Sequence, residues 1–229
     1  MSTSPTDYAM VKRLILKDWY FLRWAILGYL AAGALALFLI CLGGEASFYV
    51  GSILIFTVLI AVGIHLPMAT IIGERKEQTL TFVMSLPISP REFTLAKVMA
   101  NLLIILVPWI AITFGSLAVL ASRAKLPAGL IPFAAVALTE LLVSACLLLA
   151  VALVSESQGW TVGAMVFGNL FFQGFLYWLS HVPGIAATMA GRTAVWSSAA
   201  VILLLAEAAA VALLLGLTFF FQSRKTDFI

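Results

Sequence analysis

Residues 73–93 read GERKEQTLTFVMSLPISPREF. This segment carries six charges, two prolines and four hydroxyl side chains between two of the most apolar stretches of the chain. Each flank, about 48–72 and about 94–121, exceeds the ~20 apolar residues needed to cross a ~30 Å hydrocarbon layer. The chain therefore reads as one that crosses a membrane, turns in this segment and crosses again.

Composition extends that reading to the whole sequence. The 229 residues are 63% hydrophobic and 10% charged, with a mean hydropathy of +1.13, against ~45–50% apolar and ~25% charged in soluble domains. So few charged side chains cannot cover the exterior of a soluble fold. The net charge of +3 and a pI near 9.0 raise the question of a nucleic-acid partner, but no basic patch with interleaved aromatics occurs, so lipid and not nucleic acid is the expected surrounding. Cys41 and Cys146 each sit inside an apolar run, away from metal-ligand spacing, and read as small buried hydrophobes. The first apolar run starts near Trp24 and ends in LICLGGEAS without a small-x-small site, so the first helix is expected to stay attached.

Hydropathy predicts an all-α polytopic protein in a single membrane domain. Its six spans fall at about 24–42, 48–72, 94–121, 129–154, 160–179 and 197–221. Lys12, Arg13, Lys17, Arg23, Arg75, Lys76, Arg91, Lys97, Arg224 and Lys225 fall on one side, against Arg123, Lys125 and Arg192 on the other. The basic side is expected to be cytoplasmic and to hold both termini. Before the first span, residues of about 8–23 place Val11, Leu14, Ile15, Trp19 and Leu22 on one helical face and Lys12, Arg13, Lys17 and Arg23 on the other. This is the pattern of an interfacial helix. An ordinary basic anchor accounts for it equally, since Leu16 and Tyr20 fall on the polar arc and Asp18 on the apolar one. The stretch between spans five and six, about 180–198, is long and moderately polar, and short helices dipping into the outer leaflet are expected there.

The opening segment divides in two. Residues 74–86 can form a short helix, with Glu74, Arg75, Lys76 and Glu77 in its charged first turn and Leu80, Val83 and Met84 on one face. Pro87 ends it. Ser89 then stands at N-cap, Pro90 at N1 and Glu92 at N3, with Ile88 and Phe93 placed as a hydrophobic staple, so the third span starts at a sharp corner. A solvated turn without a partner needs none of these devices, although it remains an alternative.

Catalytic signatures are absent from the sequence. There is no G-x-x-x-x-G-K-[ST] phosphate loop, no H-E-x-x-H zinc pair and no G-x-S-x-G elbow, and His65 and His181 lie far apart in the chain. The chain is not expected to be an enzyme, and any energy source lies elsewhere. Glu140 and Glu207 fall near the middles of spans four and six, where an ionised carboxylate costs at least ~2.5–3.5 kcal/mol. Either they bind a proton or a cationic group, or they tie helices together by hydrogen bonds beside small neighbours such as Ser144.

The cytoplasmic segment resembles the ABC-2 family of ABC-transporter membrane subunits. The residues that carry the resemblance are Glu74-Arg75-Lys76, Thr79-Leu80, Leu86-Pro87-Ile88-Ser89 and Lys97, with Gln78 where glycine is frequent. The layout is similar over the whole chain: an amphipathic first helix, six spans, both termini inside and a longer outer segment before the last span. The resemblance implies that residues 74–86 are a coupling helix docking on a separate cytoplasmic ATPase subunit. Leu80, Phe82, Val83 and Leu86 would be anchors, Glu74, Arg75, Lys76, Glu77 and Thr79 a polar rim, and Pro87, Ser89, Pro90 and Glu92 the corner. It also implies that spans two and five line a route between two membrane subunits, making His65, Asn169 and Gln173 pathway candidates, although a histidine in a span is more often a hydrogen-bonded core residue. No cofactor is expected on this chain; ATP and Mg would sit on the partner.

The expectation from these readings is a permease subunit of an exporter that works by alternating access in a bacterial inner or plasma membrane, in a homo- or heterodimer with two ATPase subunits. A membrane anchor or regulatory subunit that recruits a cytoplasmic protein through the same hairpin is the rival, and an intramembrane enzyme a more distant one.

Overall fold

A computed structural model describes residues 8–73, 90–122, 126–222 and 224. Six long helices account for nearly all of them: α1 (Tyr8–Cys41), α2 (Glu45–Pro67), α3 (Pro90–Ser122), α4 (Leu130–Ser155), α5 (Gln158–Leu179) and α6 (Ser198–Gln222). All six are long and apolar enough to cross a membrane. The outward surface carries Trp24, Phe114, Trp160, Phe167, Leu170 and Tyr177, each more than half exposed. Apolar side chains in such numbers on the outside suit hydrocarbon rather than water. The architecture is that of a polytopic membrane protein.

Residues 8–23 and the first span are one uninterrupted helix, α1. No break marks the expected boundary near Trp24, because every residue there accepts helical geometry and neither glycine nor proline interrupts it until Gly28. Around the boundary Arg23 lies over the Tyr20 ring at 3.8 Å and the Trp24 ring at 5.4 Å. Those contacts cover a cation with aromatic faces, as suits a position between apolar and polar surroundings.

The tight far-end turn between α1 and α2 needs Gly43, whose φ of 75° is the left-handed conformation that other residues adopt at a cost. Ser47 then closes the start of α2, its hydroxyl accepting from the Gly44 N–H at 3.1 Å and donating to the Gly44 carbonyl at 2.8 Å. At the opposite, near end, Pro67 lacks an N–H and the helix widens into a π-helical turn over Met68–Ile72.

α4 is the central element. It packs on α2, α3, α5, α6 and the π turn, and far more of it is buried than of α5 or α6. α1 packs on α2 and α3. The main core runs through Leu22, Ile55, Leu59, Ile104, Ile112, Leu141 and Phe172, with a second cluster of Ile71, Ile72, Val98, Leu149, Ala152 and Leu153 at the near end. Between α5 and α6 the expected short helix is a single turn, Pro183–Ala186, with Ile185 buried beneath it.

Candidate functional site

The richest polar arrangement among the described residues lies at the near end, where α1, the π turn and α3 meet. Asp18 and Lys97 are each 3% exposed, and the Lys97 ammonium donates to Asp18 Oδ2 at 2.9 Å. Lys97 also donates to the Thr70 carbonyl at 3.3 Å. One turn further along α3, Asn101, fully buried, donates to the Lys97 carbonyl at 2.9 Å and presents Oδ1 to the Thr70 hydroxyl at 2.6 Å. That hydroxyl also lies 2.8 Å from the Leu66 carbonyl, and its single proton serves one acceptor at a time. Lys17, half exposed, reaches the other Asp18 oxygen at 3.4 Å.

Local sequence explains the placement. Lys97 and Asn101 share a face of α3 at i, i+4 spacing, and the π turn brings Thr70 to that face. Asp18 is the residue that spoils the apolar arc of the N-terminal helix, because that arc packs on α3 and Asp18 meets a cation there. Two charges taken out of water repay their desolvation only when paired and further hydrogen-bonded, and removal of one partner alone costs ~3–5 kcal/mol. The cluster therefore fixes α1 and the ends of α2 and α3 to one another.

Those helix ends flank residues 74–89. Glu74, Arg75, Lys76, Glu77, Thr79, Leu80, Phe82, Val83, Leu86, Pro87 and Ser89 lie outside the described residues. Of the expected corner, α3 begins at Pro90 and Glu92 is buried in its first turn, where a carboxylate suits the unpaired N–H groups of a helix start. On the same side, Glu156 takes a left-handed φ of 54° after α4, and its carboxylate accepts from Gln222 Nε2 at 3.3 Å, joining the α4–α5 turn to the end of α6.

Among the described residues the three pathway candidates have separate surroundings. His65 is exposed on α2, its Nδ1 2.9 Å from the Tyr29 hydroxyl of α1 and the rings edge to face at 6.0 Å. Asn169 faces a crevice of only about 30 Å³ between α2, α4 and α5, and its amide donates to the Met165 carbonyl at 2.9 Å. Gln173 is exposed on α5. Two of the three, His65 and Gln173, are thus on the outside of the bundle.

Glu140 of α4 and Glu207 of α6 are both buried, each 6% exposed, on two helices that pack on each other. Ser144 lies 3.4 Å from Glu140 Oε1, while neither Glu207 oxygen has a hydrogen-bond partner among the described residues. Of these arrangements, the Asp18–Lys97–Thr70–Asn101 cluster escapes sequence reasoning. Its signals were an aspartate on an apolar arc and a lysine seven residues into α3. No family model, no curated protein and no solved structure matches this chain.

Proposed function

We propose that this chain is the membrane-spanning permease subunit of an ATP-driven ABC transporter of the ABC-2 type, an exporter that pairs with a second permease subunit and two cytoplasmic ATPase subunits. ATP-driven closure of the ATPase pair pushes on residues 74–86, and the movement enters the membrane through the ends of α2 and α3. The observation that supports this reading above others is the buried Lys97–Asp18 ion pair, with Thr70 and Asn101. It ties three helix ends around the charged segment, so a push there displaces α1, α2 and α3 together rather than bending one of them. A hairpin that only recruited a soluble protein would need no such frame behind it.

Two further features fit. The exposed Tyr29–His65 pair and Gln173 place polar groups on the outside of one subunit, which a second subunit across a polar route would shield from lipid. These 229 residues carry no phosphate loop, in keeping with ATP hydrolysis outside them. Association of the purified permease with its ATPase subunit tests the docking assignment. Charge reversal at Glu74 is expected to weaken it about tenfold, and an unchanged affinity in a folded variant would count against residues 74–86 as the contact.

A further inference from the structure

The far end of the bundle holds a cavity of about 710 Å³, within the ~300–1,000 Å³ typical of small-molecule sites. α1, α2, α3 and α4 contribute to its walls, as do Leu126, Pro127 and Met189. Its shaft is apolar, formed by Ile55, Phe56, Leu130, Phe133 and Leu138. Among the described residues lining it, one side chain is charged: Glu45, the first residue of α2. Ser47 satisfies the Gly44 backbone, and the exposed Glu45 carboxylate makes no hydrogen bond or ion pair among the described residues. Phe48 and Tyr49 stand beside it on the same wall, ring centroids 6.0 Å apart and edge to face.

A carboxylate and two aromatic rings on the wall of an otherwise largely apolar cavity form a recognition set with a definite complement. Ring faces attract cations, quaternary ammonium groups above all, and the carboxylate adds direct attraction. The shaft gains by exchanging water for an apolar tail. We propose that this cavity binds a cationic amphiphile, an organic ammonium with one alkyl or aromatic tail, its tail between α2 and α4 and its ammonium at Glu45, Phe48 and Tyr49. Charge complementarity selects this occupant, since an anionic or uncharged chain would gain the shaft but nothing from Glu45. The site belongs to a single subunit and lies at the end opposite residues 74–89, so its occupancy does not depend on ATP-driven transport.

The test is equilibrium binding of labelled dodecyltrimethylammonium to the full chain in phosphatidylcholine nanodiscs, with empty nanodiscs as background. Saturable binding is expected, with dodecyl maltoside and dodecyl sulfate competing poorly. Glu45→Gln, at an exposed position that leaves the fold intact, is expected to weaken binding roughly fivefold or more. Ala134→Trp, which fills the shaft from α4, is expected to abolish it, and Ser52→Phe fills the same space from α2 should the first variant unfold. Unchanged affinity in Glu45→Gln, displacement by the neutral detergent as effective as by unlabelled cation, or full binding in a folded shaft-filling variant would each overturn the proposal.

Discussion

The two ends of this bundle are held by opposite kinds of chemistry. At the near end, Asp18, Lys97, Thr70 and Asn101 lock α1, the π turn and α3 with directional bonds of 2.6–3.3 Å. At the far end the same helices part around a cavity of about 710 Å³ with apolar walls. Directional bonds between buried charges resist sliding, because a small displacement leaves an ion unpaired. Apolar contacts are individually weak and non-directional, so walls made of them change spacing at lower cost. A frame that is stiff where force is proposed to enter and compliant at the other end suits helices that must tilt as units.

The sharpest way to break this contrast is at the ion pair. Asp18→Leu or Lys97→Met alone removes one half of the buried ion pair and should destabilise the folded chain by about 3–5 kcal/mol, read as thermal unfolding in detergent. The double variant should recover most of that loss. Equal loss in the double variant would show that the cluster contributes packing rather than a paired charge.

Midway along the bundle, Glu207 offers the opposite case, a buried carboxyl whose two oxygens find no hydrogen-bond partner among the described residues. Glu207→Leu should stabilise the chain by about 1–3 kcal/mol, since it removes an unsatisfied polar group from an apolar contact. Lower stability would mean that the carboxyl ties α4 to α6. If stability rises while turnover falls, the carboxyl serves function at a cost to the fold.

At the far end, the Gly129 N–H donates to the Gly191 carbonyl at 2.9 Å, and a Cβ at Gly129 would meet the Thr188 carbonyl oxygen at 1.9 Å. Gly129→Ala should therefore displace the 183–191 segment and cost about 1–3 kcal/mol, with faster proteolysis confined to that segment. Near-end susceptibility should not change. The smallest effect is expected from Tyr29→Phe, which removes the hydrogen bond to His65; such bonds between membrane helices average ~0.6 kcal/mol. A much larger loss would show that the pair is shielded from lipid more than its exposure on the single chain suggests.

The helices were legible because apolar runs of about 20 residues have one economical arrangement in lipid, with every backbone group bonded inside the helix. The union of residues 8–23 with the first span was not legible, since a change in the face a helix presents leaves no mark on its propensity. Nor was the near-end cluster. Asp18 stood out only as a blemish on an apolar arc, and its partner lies 79 positions away, a distance that local periodicity cannot bridge. Glu140 and Glu207 were visible as anomalies, but their burial depended on which faces α4 and α6 turn to each other. His65 and Asn169 were found as polar residues in spans, yet they part to different sides of α2.

The central claim, that this chain works as the membrane half of an ATP-driven pump, is tested most directly by ATP hydrolysis in the chain purified intact from its native membrane in mild detergent. The account predicts hydrolysis by a co-purifying ATPase subunit in equal ratio to this chain, lost when Leu80 and Val83 are both replaced by aspartate while thermal unfolding of the permease is unchanged. A folded chain that carries no ATP hydrolysis, or hydrolysis indifferent to those substitutions, would contradict it.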